Sequence, residues 1–436
     1  MASAAGSPAA YWRLVRTNRN FRYLWSAQVV SELGDWIYAV AIYSLLLEAT
    51  GNASSVAIAV VLQVFPQVLV APVAGVLNDR LSRKRIMISA DLARAVIVLT
   101  MLFASRAGWI WAIYCLLFLE TLMWGFFEPG RSATVPNIAR EGELVIANAL
   151  SSATWSTTLA LGAGLGGIVA AFLGRDAVFI LNSASFLLSA TLLSGMRFKE
   201  RHVDSSRPPS LRELAGFTPI AAGARYITAR PRLVALLLAK VALGFLGVQW
   251  VLLPIFGERV FPMSVAGIGA QRGAMLSMSL LMSARGVGAL LGPLFSTQWT
   301  GERRARLRSG IVIGFLLAAA GAAALAFAPN LALATATVVL ANAGGSMVWV
   351  FATTLLQFYT DDEFRGRVFS LDFACHVGAM AAVSYAAGMA VDAGLGVRSI
   401  SFAAGVVCGV AALAWVFVLR RWPGRVERSS GEAGIP

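Results

Sequence analysis

The sequence predicts an all-α membrane protein in which twelve transmembrane helices form two pseudo-symmetric six-helix bundles. The 436 residues are 58% hydrophobic and only 13% charged, and the mean hydropathy is +0.72. About 20 apolar residues are enough to cross the hydrocarbon of a bilayer as a helix, and the chain contains about a dozen such stretches. We therefore expect a polytopic membrane protein without a soluble domain of any size.

Apolar stretches bounded by short polar segments define the spans in chain order. Six of them precede the longest polar interval of the chain, and six follow it. That interval contains Pro208 and Pro209, and then a stretch at 211–227 that is suited to an interfacial amphipathic helix. The predicted spans are 22–48, 54–78, 86–106, 109–128, 145–172, 176–197, 232–257, 273–299, 308–328, 331–357, 367–391 and 397–420.

These elements divide the chain into a tail at 1–21, a bundle at 22–197, a linker at 198–231, a second bundle at 232–420 and a tail at 421–436. Weak internal symmetry supports the division. The second span ends with Pro72 before a basic loop, and the eighth ends with Pro293 before the sequence GERRAR. Two related halves of six spans are the layout of a transporter that rocks around a site near the midplane.

Basic residues are concentrated in alternate loops, which predicts the orientation of the chain. The two tails and the even-numbered loops hold 28 of the 36 Lys and Arg residues, so we expect both termini in the cytoplasm. The net charge of +14 then reflects orientation and requires no nucleic-acid partner. Arg outnumbers Lys 33 to 3, which is typical of a GC-rich bacterial genome and predicts a bacterial plasma (inner) membrane location.

The loop after the second span, GVLNDRLSRKR at 75–85, carries a family signature. With its flanking spans it resembles the major facilitator superfamily, and the resemblance covers nearly the whole chain. Residues 128–149 and the RGRV at 365–368 resemble the branch that contains macrolide efflux proteins and siderophore exporters. Ser82 replaces the second glycine of the signature Gly-x-x-x-Asp-Arg-x-Gly-Arg-Arg/Lys. The residues that match it are Gly75, Asp79, Arg80, Arg83 and Lys84.

This loop predicts a conformational latch at the cytoplasmic face. The Asp79 carboxylate at the inner end of the second helix can accept hydrogen bonds from amides at the start of the eleventh helix, near Arg365. The family resemblance implies that a loop arginine, Arg80 or Arg83, joins the latch by pairing with Glu128 at the inner end of the fourth helix. The alternative is that these arginines only set the orientation and contact anionic lipid.

The fifth span contains the glycine-rich sequence GAGLGG at 162–167. Glycines allow close packing of membrane helices, and this is sufficient to explain them. Gly162, Gly166 and Gly167 also match a Gly-Pro-x-x-Gly-Gly segment that the superfamily associates with antiporters, although Ala163 replaces the proline. The resemblance therefore favours export over import.

Ionisable side chains inside a bilayer are costly and mark candidate functional sites. Glu32 and Asp35 are three residues apart and are expected to share one helix face. Two like charges in a low dielectric favour the binding of a proton, so these carboxylates are the first candidates for proton coupling. In the alternative, one of them forms a structural salt bridge with Arg285 or Lys240. The other proton-coupling candidates are Glu120, Asp372 and His376, and Lys240 and Arg285 complete the predicted charge network.

Some of these groups also have simpler interpretations. His376 lies one turn beyond Asp372 and could relay protons, but a lone buried histidine is more often a hydrogen-bonded core residue. Lys240 is close enough to the end of its span to snorkel. Asp91 and Arg94, one turn apart, are interpreted as a local structural pair near the cytoplasmic end of their helix.

Deep tryptophans and amides are the candidates for lining a substrate cavity. Tryptophans beside Glu32 and Asp35 would form an aromatic, partly acidic pocket that suits amphipathic or cationic molecules. For each tryptophan, packing is the alternative. The cavity candidates are Gln28, Trp36, Gln63, Gln67, Trp155, Asn182, Gln249, Trp250 and Trp349.

The sequence offers no pattern typical of an enzyme, a metal site or a bound cofactor. Cys115, Cys375 and Cys408 are scattered through apolar segments, and the chain has only two histidines, so neither a disulfide framework nor a metal site is expected.

The leading hypothesis is proton-coupled efflux of a small amphipathic or hydrophobic compound, such as a drug, a macrolide or a siderophore, by alternating access in a monomer. Its partners are the small-molecule substrate, protons and the lipid bilayer. A (lyso)phospholipid flippase or an uncoupled facilitator is the alternative, because residues 147–149 also resemble lysophospholipid flippases. A membrane sensor or enzyme on a transporter scaffold is a remote alternative.

Overall fold

The computed structural model describes residues 8–140, 143–200, 218–267, 269–300 and 303–422, and the regular structure in these ranges is helical. Twelve helical segments are long and apolar enough to cross a bilayer, which confirms the predicted fold class. The helices are α1 Pro8–Thr17, α2 Arg19–Thr50, α3 Ala53–Arg80, α4 Arg83–Arg106, α5 Ile110–Ile138, α6 Leu144–Phe172, α7 Arg175–Ser194, α8 Thr218–Thr228, α9 Pro231–Leu243, α10 Gln249–Ile255, α11 Ala270–Thr300, α12 Arg304–Phe327, α13 Leu331–Tyr359, α14 Asp362–Asp392 and α15 Val397–Arg421.

The spans begin and end close to their predicted limits, and the largest difference is in the fourth. Helix α5 continues ten residues beyond the predicted end at 128, with Pro129 and Pro136 inside it. Proline is tolerated within membrane helices because neighbouring groups satisfy the backbone that it leaves unpaired. In this segment Arg83 donates to the Ala133 carbonyl at 2.7 Å.

The seventh span is interrupted, which hydropathy could not indicate. Helices α9 and α10 are joined by a 3₁₀ segment at Gly244–Val248, and a π-helical turn follows at Phe256–Val260. Glycine permits the backbone to approach α14 here, since a Cβ at Gly247 would collide with Met380. Ser384 of α14 donates to the Gly247 carbonyl at 2.8 Å and fixes the contact.

In the part of the chain that the structure describes, two shorter helices lie outside the spans. Helix α1 lies within the tail predicted at 1–21, and it buries Leu14 against the N-terminal bundle. Helix α8 overlaps the amphipathic stretch predicted at 211–227, of which residues 211–217 lie outside the described part of the chain. Tyr226 of α8 receives a hydrogen bond from the amide of Asp361, just before α14, at 3.0 Å.

The spans form two bundles, α2–α7 and α9–α15, in which corresponding helices make corresponding contacts. Between the bundles, α6 packs against α11 and α3 packs against α14. These are the pairs of spans five and eight, and two and eleven, which a two-fold relation exchanges. We call the membrane face where α2 begins and α15 ends the terminal face, and the other the opposite face.

Candidate functional site

A single guanidinium inside the N-terminal bundle contacts three carboxylates from three helices. Arg94 of α4 is 1% exposed, and its Nη2 donates to both carboxylate oxygens of Asp35 in α2, at 2.9 and 2.7 Å. Its Nε donates to Glu120 of α5 at 2.8 Å. Asp91, one turn earlier in α4, lies 3.5 Å from Nη1. We call Arg94, Asp35, Asp91 and Glu120 the Arg94 cluster.

The Arg94 cluster holds more acidic than basic groups. With all three carboxylates ionised, one guanidinium leaves two negative charges uncompensated, and unpaired buried charge is costly. The other polar neighbours, the hydroxyls of Ser31 and Ser189, are neutral. Binding of a proton by a carboxylate removes part of this cost, so the cluster is chemically suited to hold and release protons.

The Arg94 cluster corrects two expectations. Asp91 and Arg94 do form the predicted local pair, but it lies at mid-helix, because α4 begins at Arg83, and it belongs to a larger cluster. The partner of Asp35 is Arg94, and neither Arg285 nor Lys240. One feature of the sequence pointed to this cluster. Arg94 lies in the middle of its helix, and a buried arginine needs several hydrogen-bond acceptors.

Glu32 belongs to a separate hydrogen-bond chain. Its carboxylate accepts from Gln28 of α2 at 2.8 Å and from Thr158 of α6 at 3.0 Å. Arg131 of α5 donates to the Gln28 side-chain oxygen at 3.1 Å. Glu32 therefore contacts α6 whereas Asp35 contacts α4, and the predicted like-charge pair of Glu32 and Asp35 is wrong.

The partner predicted for Glu128 is also wrong. Its carboxylate pairs with Arg131, one turn along α5, at 2.5 Å, and not with Arg80 or Arg83. The local pair prevails because three-residue spacing places both side chains on one face of the helix. The Glu128–Arg131 pair joins the Glu32 chain through Gln28.

The basic loop residues contact helix ends near the terminal face. Arg83 donates to the carbonyl of Asn78 at 3.0 Å, and Lys84 donates to the carbonyls of Ser194 and Met196 at 2.7 Å each. Cations favour such C-terminal carbonyls.

The latch remains a prediction, because the side chain of Asp79 lies outside the described part of the structure. Gly75 and Arg80 lie in the last turns of α3, and Arg365 lies in the first turn of α14.

A second buried ion pair lies in the C-terminal bundle. Lys240 of α9 donates to Asp372 of α14 and, at 3.0 Å, to Thr353 of α13. The Lys240 nitrogen lies 3.8 Å from the ring centroid of Trp349. His376 contacts the Lys240 carbonyl through Nδ1 at 2.8 Å. One cation faces one carboxylate here, so this Lys240 cluster is balanced in charge.

An aromatic column crosses from one bundle to the other. Trp36 of α2 stacks on Trp250 of α10 with ring centroids 5.7 Å apart, and Trp155 of α6 packs edge-on against Trp36 at 5.8 Å. The guanidinium carbon of Arg285 in α11 lies 3.4 Å from the Trp250 centroid. The structure thus brings together three of the predicted cavity tryptophans and one of the predicted cations.

Among the remaining cavity candidates, Gln63 and Gln67 of α3 contact each other, whereas Asn182 lies inside the N-terminal bundle. Gln63 accepts from Tyr43 of α2 at 2.6 Å, and Gln67 donates to the Gln63 carbonyl at 2.7 Å. Asn182 is fully buried within the N-terminal bundle, where it packs against α2 at Gly34, so its assignment to a cavity is wrong.

The glycines of α6 lie at close helix contacts. A Cβ at Gly162 would meet Trp36, and one at Gly166 would meet the backbone of Ile37, both in α2. A Cβ at Gly167 would meet Ser279 of α11 in the other bundle. These contacts hold α6 between the two bundles.

Hydrogen bonds at the opposite face join the bundles. The carboxylate of Asp392, the last residue of α14, accepts from the backbone amides of Ala53 and Ser54 at the start of α3, at 2.7 and 2.9 Å. Arg259 donates to the Gly51 carbonyl at 2.7 Å. Asp392 was not among the predicted site residues, although an acidic residue can cap any helix N-terminus that it reaches.

An apolar groove of about 440 Å³ lies between α3 and α14. Two of its aromatic side chains, Phe65 and Tyr385, are almost half exposed. The groove is lined by Ile58, Val61, Leu62, Phe65, Gly378, Ala381, Ala382 and Tyr385.

The family model described as transmembrane secretion effector matches residues 12–430. The MFS-type transporter YfiS of Bacillus subtilis is 27% identical over 234 residues, which are 53% of this chain and 55% of YfiS. Macrolide efflux protein A of Streptococcus pyogenes is 27% identical over 207 residues, 47% of this chain and 50% of that protein. The chain thus spans about half the length of these curated relatives.

A solved structure extends the similarity in fold to most of the chain. The crystal structure of the nucleoside transporter NupG superposes with a TM-score of 0.66 and 12% sequence identity, over 93% of this chain and 99% of that one. At this identity the likeness concerns the fold alone.

Proposed function

Because the chain belongs to the transmembrane secretion effector family of the major facilitator superfamily, we propose that it is a secondary active transporter that couples proton movement to the efflux of a small amphipathic compound. The observation that carries the proposal is the Arg94 cluster, in which three carboxylates surround one guanidinium. Such an excess of buried acids is suited to a group that takes up a proton on one side of the membrane and releases it on the other.

Alternating access supplies the transport step. Asp392 and Arg259 close the opposite face by joining the bundles there, and the predicted Asp79 latch would close the terminal face in the other state. Rocking of the bundles around the α6–α11 and α3–α14 contacts would then expose the aromatic column to each side in turn. In this proposal the terminal face is cytoplasmic, the membrane is the bacterial inner membrane, and one chain is the functional unit.

Proton coupling and substrate binding communicate through α2. This helix carries Asp35 in the Arg94 cluster and, one residue further, Trp36 in the aromatic column. A shift of α2 upon protonation of Asp35 would therefore move Trp36 relative to Trp250. Glu32, with no cation within hydrogen-bond distance among the described residues, is the second candidate for proton binding.

The efflux function is tested in inside-out vesicles with an established proton gradient. Lipophilic dyes, macrolides and siderophores are added in turn, and a pH-sensitive dye reports whether any of them dissipates the gradient. We expect dissipation with at least one compound and none in vesicles that lack the protein. No response to any compound, from protein that unfolds cooperatively, would argue against proton-coupled efflux.

The groove between α3 and α14 favours a second candidate function, movement of a lysophospholipid. Its lining is almost entirely apolar and it is partly open, with Phe65 and Tyr385 exposed, as an acyl chain would require. Transfer of a fluorescent lysophospholipid between leaflets of proteoliposomes, in the absence of any gradient, would support this function over proton-coupled efflux.

A further inference from the structure

Arg285 differs from the other cations of the membrane interior. Arg94, Arg131 and Lys240 each have a carboxylate partner. Within the described residues Arg285 forms no ion pair, and its Nη1 is buried without a hydrogen bond. Its guanidinium lies on the ring of Trp250, which neutralises none of its charge. A buried cation without a counter-ion lowers the stability of the protein. Arg285 is therefore a candidate functional residue.

Two further unpaired donors lie on consecutive residues of α10, of which Trp250 contacts Arg285. The indole Nε1 of Trp250 and the amide Nε2 of Gln249 are both buried without an acceptor. The side-chain oxygen of Gln249 is already engaged, because Asn342 donates to it at 2.7 Å. The three unpaired groups are all donors, and one carries a full positive charge. Their natural complement is an anionic group with several acceptor oxygens.

An apolar surface adjoins these donors. The ring of Trp250 continues through Trp36 to Trp155, which is 42% exposed. Stacked and edge-on indoles bind flat apolar groups well. Of the two acids predicted beside these tryptophans, Asp35 pairs with Arg94, and Glu32 accepts hydrogen bonds from the neutral side chains of Gln28 and Thr158. The acidic pocket for cationic molecules that the sequence suggested is therefore contradicted at Asp35, whose carboxylate already has a cation as its partner.

We propose that the substrate is an amphipathic anion whose carboxylate or phosphate binds Arg285, Trp250 Nε1 and Gln249 Nε2, while its apolar part packs against Trp36 and Trp155. This inference rests on the proposed transport function for its biological meaning. The binding site itself requires only that the anion reach the aromatic column between the bundles.

Binding is measured by isothermal titration calorimetry on the full chain in phosphatidylcholine nanodiscs, without a proton gradient. The soluble probes share one ring system: 2-naphthoate, the neutral 2-naphthalenemethanol and the cationic 2-naphthylmethylammonium. Lysophosphatidate is titrated separately, because it presents the anion on an acyl chain. Tight binding of 2-naphthoate would identify a soluble organic anion, and binding of lysophosphatidate alone would identify a lipid headgroup.

We expect the wild-type protein to bind at least one anion about tenfold or more tightly than the neutral and cationic probes, since charge-assisted contacts are involved. Arg285→Gln should lose this preference, and Arg285→Lys should keep part of it. The matched control is Arg106→Gln, which removes an exposed arginine that pairs with Asp176 within the N-terminal bundle; it should bind as the wild type does.

Equal affinity of the wild-type protein for acid, alcohol and ammonium, together with no binding of lysophosphatidate, would overturn the inference even if Arg285→Gln failed to fold. Unchanged anion binding in folded Arg285→Gln protein would also overturn it. Because no proton gradient is present, loss of proton coupling in the transport assay would leave these binding results intact. The proposal of anion binding and the proposal of proton-coupled transport can therefore be refuted independently of each other.

Discussion

The carboxylate of Asp392 accepts a hydrogen bond from the backbone amide of Ala53 at 2.7 Å, so the end of α14 closes on the start of α3. The second carboxylate oxygen accepts from the next amide, that of Ser54. An acid at a helix N-terminus satisfies amides that have no partner within the helix. The contact resembles an inverted form of the predicted latch, in which Asp79 at the end of α3 would meet the start of α14.

Asp392→Ala should weaken closure of the opposite face, because loss of a helix cap costs about 1 kcal/mol. Spin labels at Asn52→Cys and Leu395→Cys, in a cysteine-free background, report the separation of the bundles there. We expect the distance distribution to shift towards longer values. Asp176→Ala is the control, since Asp176 pairs with Arg106 within one bundle, and an equal shift in that variant would refute the assignment of Asp392 to closure.

Gly286→Ala should destabilise the contact between α6 and α11. The added Cβ would collide with the backbone of Ala160, which cannot move as a flexible side chain can. Overpacking of this kind typically costs about 1–3 kcal/mol, so the melting temperature in detergent should fall. The control is Gly378→Ala, whose added Cβ meets nothing within 4 Å. A similar melting temperature for both variants would contradict the packing described.

Lys240→Met should destabilise the protein by about 3–5 kcal/mol, because Asp372 would remain buried without its cation. The double variant with Asp372→Leu should recover most of this loss, since a buried ion pair can be replaced by apolar groups of similar volume. Chemical unfolding of both variants gives the comparison. If the double variant is no more stable than Lys240→Met, the two residues are not coupled as the structure describes.

Glu128→Gln should leave Arg131 within reach of the Glu32 chain but without its own counter-ion. We expect Arg131 to move towards Glu32, which has no cation of its own among its hydrogen-bond partners. A double-mutant cycle with Glu32→Gln measures this coupling in unfolding experiments. Additive effects within about 0.5 kcal/mol would show that the two carboxylates are independent.

Hydropathy alone predicted most of the fold, because only continuous apolar helices satisfy their backbone inside a bilayer. Hydropathy failed to predict the helix limits where local packing decides the course of the backbone. Helix α5 continues through Pro129, which was expected to lie beyond its end. The seventh span breaks at Gly244, where a close approach to α14 decides the backbone.

The candidate site was predicted as a set of residue types and only partly as a set of contacts. Glu32, Asp35 and Glu120 were recognised as acids within membrane spans, but their partners depend on which helices are neighbours, and one sequence cannot give this. The pair of Arg94 with Asp91 was predicted correctly but was placed near the helix end, because the helix was expected to start at 86 and not at 83. The three additional residues at the start of the helix place Arg94 at mid-helix, where it also contacts Asp35 and Glu120.

The most direct test of proton coupling is substrate-driven proton release from reconstituted protein, compared with the variant Asp35→Asn with Glu120→Gln. These amides preserve shape and leave Arg94 balanced by Asp91, so the protein should fold. The coupling assigned to the Arg94 cluster predicts proton release by the wild-type protein, no release by the double variant, and normal release by the control Asp176→Asn. Undiminished release by the folded double variant would contradict it.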